Sequence, residues 1–246
     1  MKYLKLFENF EDIHKICKKY GIKNYTINDD GSIDVDGDVI LHKEGLTKLP
    51  LNFNNISGYF NCSNNKLISL EGAPRLVGGY FDCSDNQLTT LEGGPQLVGG
   101  DFVCDYNKLT TLECCPKSVG GFDCSYNKLT TLEGSPKSVG VNFSCSRNKL
   151  TTLEGGPKSV GGNFWCRNNK ILTFEGAPNH VGGYFECDGN PIENIWKLFK
   201  DYSKVEFLND LDAIRDEDLL MDRFNTFLSM IGKDEVENVE GYNCIN

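Results

Sequence analysis

Residues 77–97 read VGGYFDCSDNQLTTLEGGPQL, 98–118 VGGDFVCDYNKLTTLECCPKS, 119–138 VGGFDCSYNKLTTLEGSPKS and 139–159 VGVNFSCSRNKLTTLEGGPKS. One unit is written four times, and it continues on both sides. Phe60, Phe81, Phe102, Phe122, Phe143, Phe164 and Phe185 are spaced 21, 21, 20, 21, 21 and 21. Two residues after each stands Cys62, Cys83, Cys104, Cys124, Cys145, Cys166 or Cys187. Three further on stands Asn65, Asn86, Asn107, Asn127, Asn148, Asn169 or Asn190. Two apolar columns follow (Leu67 and Leu70 in the first unit), then a proline column from Pro74 and a valine column from Val77. Columns in register at a fixed short period mark an internal repeat, in which each unit buries its apolar face against its neighbours.

Phe-x-Cys reads as a short strand with both named side chains pointing inward. Stacking the units gives a parallel sheet in which each Phe packs on the next, each burial contributing about 2–3 kcal/mol. The inward Cys reads as a small apolar filler. One thiol per unit, all facing the same way, does not suit disulfide geometry, and reduced thiols fit a cytoplasmic protein. The Asn column reads as the turn residue whose amide satisfies buried backbone groups. The pairs Gly78-Gly79, Gly99-Gly100, Gly120-Gly121, Gly161-Gly162 and Gly182-Gly183 read as tight turns into the next strand. The stretch from leucine to proline is too short for a helix. The unit from 102 is one residue short just before Phe122, which predicts a local kink in the sheet there.

The pattern V-x-x-(x)-F-x-C-x-x-N-x-L-x-x-L-x-x-x-P resembles the leucine-rich repeat, L-x-x-L-x-L-x-x-N/C-x-L, in its shortest class. It is similar to repeats of secreted bacterial effector proteins and of tailed-bacteriophage proteins, over about residues 39–195. The resemblance implies an α/β solenoid: a leucine-rich-repeat horseshoe with a parallel β-sheet on the concave face, a helix-poor convex side and helical caps at both ends. It also implies binding of another protein on the concave face, by a phage-encoded factor acting on a host protein. The other reading is a structural or virion-associated protein that self-associates.

An eighth, degenerate unit precedes the rest, with Val39, Leu41 and Glu44 at the Phe, Cys and Asn positions. The expected organisation is therefore an N-terminal cap over 1–38, repeats over 39–192 and an acidic helical cap over 193–246. Leu6, Phe10, Ile13, Cys17 and Tyr20 recur at helical spacing, with Gly21 as the stop. Thr26-Ile27 and Ile33–Val35 read as strands. Ile192, Ile195, Trp196 and Phe199 mark a helix; Ser203 with Glu206 fits a capping box for a second. Leu220, Phe224, Phe227, Leu228 and Ile231 mark a third, with Asp216, Glu217 and Asp218 in its first turn. The tail from Gly241 has no pattern.

The chain of 246 residues carries a net charge of −10. The three segments contribute −2, −1 and −7 in order, so none offers the basic field that binds phosphate, and nucleic acid is not expected as a partner. No signal peptide or membrane-spanning run is read, so a cytoplasmic protein without membrane association is expected. No catalytic residue, metal site or cofactor is expected. His14, His42 and His180 stand in different units without ligand or nucleophile partners. The glutamates from Glu71 to Glu175 recur once per unit beside lysine columns, as a structural feature would. Cys114-Cys115 replaces residues that are Gly or Ser elsewhere.

The residues flanking each Phe point outward, and they vary while the inward columns do not. They are Tyr59/Asn61, Tyr80/Asp82, Asp101/Val103, Gly121/Asp123, Asn142/Ser144, Asn163/Trp165 and Tyr184/Glu186. The next outward positions add Tyr106, Tyr126, Arg147 and Arg167. Tyr, Trp and Arg are enriched at interface hot spots. Trp165, exposed between Tyr184, Arg147 and Arg167, is the expected anchor. Asp82, Asp101, Asp105 and Asp123 favour a partner with a basic surface. A monomer is the expected state.

Overall fold

A computed structural model describes residues 2–246, and the side chains of residues 11–246. The side chains of Leu6 and Phe10 lie outside the described residues. Strands dominate, most of them parallel, and helices are few and terminal. Eight two-residue strands make one sheet in chain order: Val39–Ile40, Phe60–Asn61, Phe81–Asp82, Phe102–Val103, Phe122–Asp123, Phe143–Ser144, Phe164–Trp165 and Phe185–Glu186. Every pair is parallel and aligns Val39 or Phe with the Phe of the next unit. The rings stack with centroids between 5.2 and 5.7 Å apart from Phe60 to Phe185. Leucine and cysteine columns are buried beside them.

A second set of strands was not foreseen in the sequence. The valine column and its preceding residue pair across units. Leu76–Val77 and Leu97–Val98 extend a five-stranded sheet, and Ser118–Val119, Ser138–Val139, Ser159–Val160 and His180–Val181 form a four-stranded one. Two-residue strands give no alternation to read, so sequence showed only the closing turn of each unit. The short unit breaks this second set, not the Phe sheet. Phe122 keeps register with both Phe102 and Phe143. Gly120 N donates to Gly100 O at 2.8 Å, whereas the matching Gly99 N and Gly161 N donate to Val77 O and Val139 O. Ring stacking holds the Phe register, so the missing residue is absorbed where only backbone is exchanged.

Each asparagine ties its unit to the one before. Asn86 Nδ2 donates to Cys62 O and Cys83 O at 3.1 Å, and its Oδ1 accepts from Leu67 N at 2.9 Å. The same three partners recur at Asn65, Asn107, Asn127, Asn148, Asn169 and Asn190. The glycine pairs serve differently from the expectation. Positive φ falls on the residue after each column glutamate, glycine in every unit but one (Gly93 at +81°, Cys114 at +67°), and not on the pairs. The pairs lie where neighbouring units touch through backbone: a Cβ on Gly99 would sit 2.2 Å from Gly78 O.

At the N-terminal end helix α1 (Lys2–Lys19) buries Ile13 and Cys17. Tyr25–Ile27 and Ile33–Val35 pair antiparallel and lead into the five-stranded sheet. At the other end follow α2 (Glu193–Phe199), α3 (Val205–Asp210) and α4 (Met221–Met230). Trp196 meets Phe185 edge-on at 5.2 Å, ending the ring ladder. Two helix-start expectations need correction. Asp201, not Ser203, is the capping side chain: it accepts from Ser203 N at 3.0 Å and Ser203 Oγ at 2.7 Å. Asp216, Glu217 and Asp218 precede α4, because Asp218–Leu220 is a strand paired with Asn243–Ile245. The tail thus packs on the cap, and Tyr242 Oη donates to Leu172 O.

Candidate functional site

Alternation along each Phe strand leaves one outward face, and its residues sort into columns by register. The column before Phe holds Tyr59, Tyr80, Asp101, Gly121, Asn142, Asn163 and Tyr184. The column after it holds Asn61, Asp82, Val103, Asp123, Ser144, Trp165 and Glu186. A third, four residues after Phe, holds Asn64, Asp85, Tyr106, Tyr126, Arg147 and Asn168, all at φ between 49° and 57°. Arg167 is not in that column, since the matching residue is Asn168. It lies one position earlier, in line with Asp105 and Asp188.

Most polar residues here have backbone work, so the fold itself sets part of the variation in the outward columns. Asp82 Oδ1 accepts from Ser84 N at 2.9 Å, and Asp123 Oδ1 from Ser125 N at 2.8 Å. Asp101, Asn142 and Asn163 accept from the backbone N–H of Gly121, Asn163 and Tyr184 in the following unit. Short Asx side chains do this readily.

The aromatic residues are not explained that way. Tyr59 and Tyr80 stack at 4.6 Å, and Tyr106 and Tyr126 at 4.0 Å. The Arg147 guanidinium lies 5.0 Å from the Tyr126 ring centre. Tyr106 is 50% exposed, Tyr126 39% and Tyr184 75%. A tyrosine or arginine at positive φ costs on the order of 1 kcal/mol, whereas Asn and Asp tolerate it. Tyr106, Tyr126 and Arg147 therefore accept strain without burial, at positions where Asn64, Asp85 and Asn168 show the less strained choice.

The expected anchor cluster does not assemble. Trp165 is half-buried and makes no ring or cation contact with Tyr184, Arg147 or Arg167 among the described residues. Arg147 is on Tyr126, and Arg167 is paired with Glu186 and, at 3.0 Å, with Asp188. The signal that could have prevented the error was the period itself: 147 plus one unit is 168.

Asp105 carries the most perturbed carboxyl. Partial burial first, then the nearby carboxylates of Asp123, Asp82 and Asp85, push its pKa up from 3.8 to about 7. Between those values the folded chain holds a proton that the unfolded chain has released, so folding weakens as pH rises through that window. Asp105→Asn is expected to raise stability at pH 8 by roughly 1 kcal/mol after allowing for solvent screening, and to change it little near pH 4. Urea melts at both pH values check this, and equal effects at the two would exclude a charge origin.

The ladder cysteines are fully or almost fully buried, and burial raises their thiol pKa values, so they stay protonated and unreactive. Cys83 and Cys124 Sγ donate to Val103 O and Ser144 O. No group of three metal-ligating side chains converges among the described residues. Cys115 is buried and Cys114 exposed, the latter at φ 67° where other units carry glycine. None of the column glutamates pairs with a lysine among the described residues. No described helix is long and apolar enough to cross a membrane.

No protein-family model and no curated protein matches the chain.

Proposed function

We propose that this chain is a non-catalytic protein-binding module of the leucine-rich-repeat type, and that it grips its partner on the outward, concave face of the eight-stranded sheet. The observation that carries this is the set of exposed tyrosines on that face: stacked, partly strained, and unnecessary to the backbone network around them. Hot spots favour such residues. The carboxylates between the two tyrosine pairs favour a partner with a basic surface. The repeat's resemblance to bacterial and phage sequences points to a protein target in a host cell.

The test compares three immobilised proteins against bacterial lysate. One is wild type; one carries Tyr80→Ser, Tyr126→Asn and Tyr184→Ser; one carries Ile68→Ser and Leu97→Ser, which are 68% and 63% exposed away from that sheet. A saturable partner should be held by the first and third and lost by the second. Identical retention by all three would remove the outward face from consideration. The self-associating structural reading draws support from the two end strands of the Phe sheet, Val39–Ile40 and Phe185–Glu186, each paired on one side alone among the described residues. Sedimentation at rising concentration separates it from the first, which expects a constant monomer mass.

A further inference from the structure

We infer that the open face of Tyr106, bounded by Asp85 and Asp105, is a receptor for an arginine side chain of the partner polypeptide. This rests on the reading of the sheet face as a protein-binding surface, and specifies one contact in it.

The ladder already shows the chemistry at its other end. Three successive units place Tyr106, Tyr126 and Arg147 in one column, so the Arg147 guanidinium covers the Tyr126 face turned away from Tyr106. Tyr126 covers one face of Tyr106, and half of the Tyr106 side chain remains exposed. The next residue of the column on the open side is Asp85, which offers no ring. Asp85 Oδ2 accepts from Asn64 Nδ2 at 2.7 Å, and its other oxygen has no hydrogen bond among the described residues. Neither Asp85 nor Asp105 nor their neighbours Asp82 and Asp123 enter an ion pair among the described residues. A cation entering between Tyr106 and Asp85 would thus gain a ring face and the unpaired Asp85 oxygen together, and its charge would favour the ionised form of Asp105 beside it.

The pairing of a ring face with a carboxylate selects the cation. A guanidinium is planar, stacks on an aromatic face and presents two parallel N–H groups to a carboxylate; an ammonium does neither. A nucleobase would also stack, but its phosphates would meet an acidic surface.

The test uses the full chain and a blocked Gly-Arg-Gly-Arg-Gly peptide, with versions carrying lysine or citrulline, followed by the ring resonances of Tyr106 in NMR titrations. Citrulline keeps the planar shape without the charge. The arginine peptide should bind saturably, at least 10-fold more tightly than the citrulline peptide and several-fold more tightly than the lysine one. Tyr106→Asn should weaken arginine binding at least 10-fold while melting no lower than wild type, because asparagine suits that backbone. Equal affinity for arginine and citrulline, an unaffected Tyr106→Asn variant, or no saturable binding would each overturn the receptor. If the peptide fails to bind while Tyr106→Asn still loses the partner retained from lysate, the arginine contact falls and the binding face stands.

Discussion

Asn127→Ala is expected to destabilise the fold by roughly 2–3 kcal/mol, although the side chain removed is small and polar. Asn127 Oδ1 accepts from Leu109 N at 2.9 Å, and Nδ2 donates to Cys104 O at 3.0 Å and to Cys124 O and Ser125 O at 3.1 Å. Asn127 is 8% exposed, and Leu109 and Cys104 are fully buried. Alanine leaves the buried Leu109 amide unpaired, which costs about 1–3 kcal/mol, and takes one of two donors from Cys104 O and from Cys124 O, which keep Asn107 Nδ2 and Asn148 Nδ2. Asn127→Asp separates the donor from the acceptor role: the carboxylate can still receive Leu109 N–H, but its second oxygen faces carbonyls. Protonation would restore a donor there, so this variant should be least stable above neutral pH and regain stability in acid. Urea denaturation measures both, and a loss for alanine below about 1 kcal/mol would show that the amide column is dispensable.

Gly99→Ala is expected to cost about 3 kcal/mol, at the upper end of what overpacking usually costs, although Gly99 is exposed, because the clash is with backbone. The added methyl would lie 2.2 Å from Gly78 O and 3.1 Å from Gly78 C, both backbone atoms that cannot swing away. Gly140→Ala is the control. It occupies the same register, but the unit before it is one residue short, and the nearest atom to its Cβ would be Gly120 O at an ordinary 3.6 Å. That change should cost only a few tenths of a kcal/mol, as surface substitutions do. The same relaxation accommodates Val141 where most other units carry the second glycine of the pair. Thermal melts of the two variants decide the matter: equal losses would mean that the pairs serve chain flexibility and not contact between units.

The sequence by itself determined the period, the inward columns and the parallel Phe register. Those features depend on side chains that recur because each must be buried against its own copy, and a burial requirement repeated seven times is visible as a column. It also marked the segments outside the repeats as helical ends, since amphipathic spacing survives without tertiary context. Boundaries set by single hydrogen bonds were not legible. Asp201 rather than Ser203 caps the turn before α3, and Asp218 lies in a strand, because the distant tail at Asn243–Ile245 reaches it.

Only the tertiary structure decided which variable residues have backbone duties. Asp101 bonds Gly121, and Asn163 bonds Tyr184, across unit boundaries that no local pattern exposes. It likewise dispersed the cluster imagined around Trp165, by giving Arg147 to Tyr126 and Arg167 to Glu186 and Asp188. The physical reason is the same throughout. Burial of a repeated apolar group is a property of the residue and its period, whereas hydrogen bonds, ion pairs and backbone clearances between units depend on atoms brought together only when the units lie side by side.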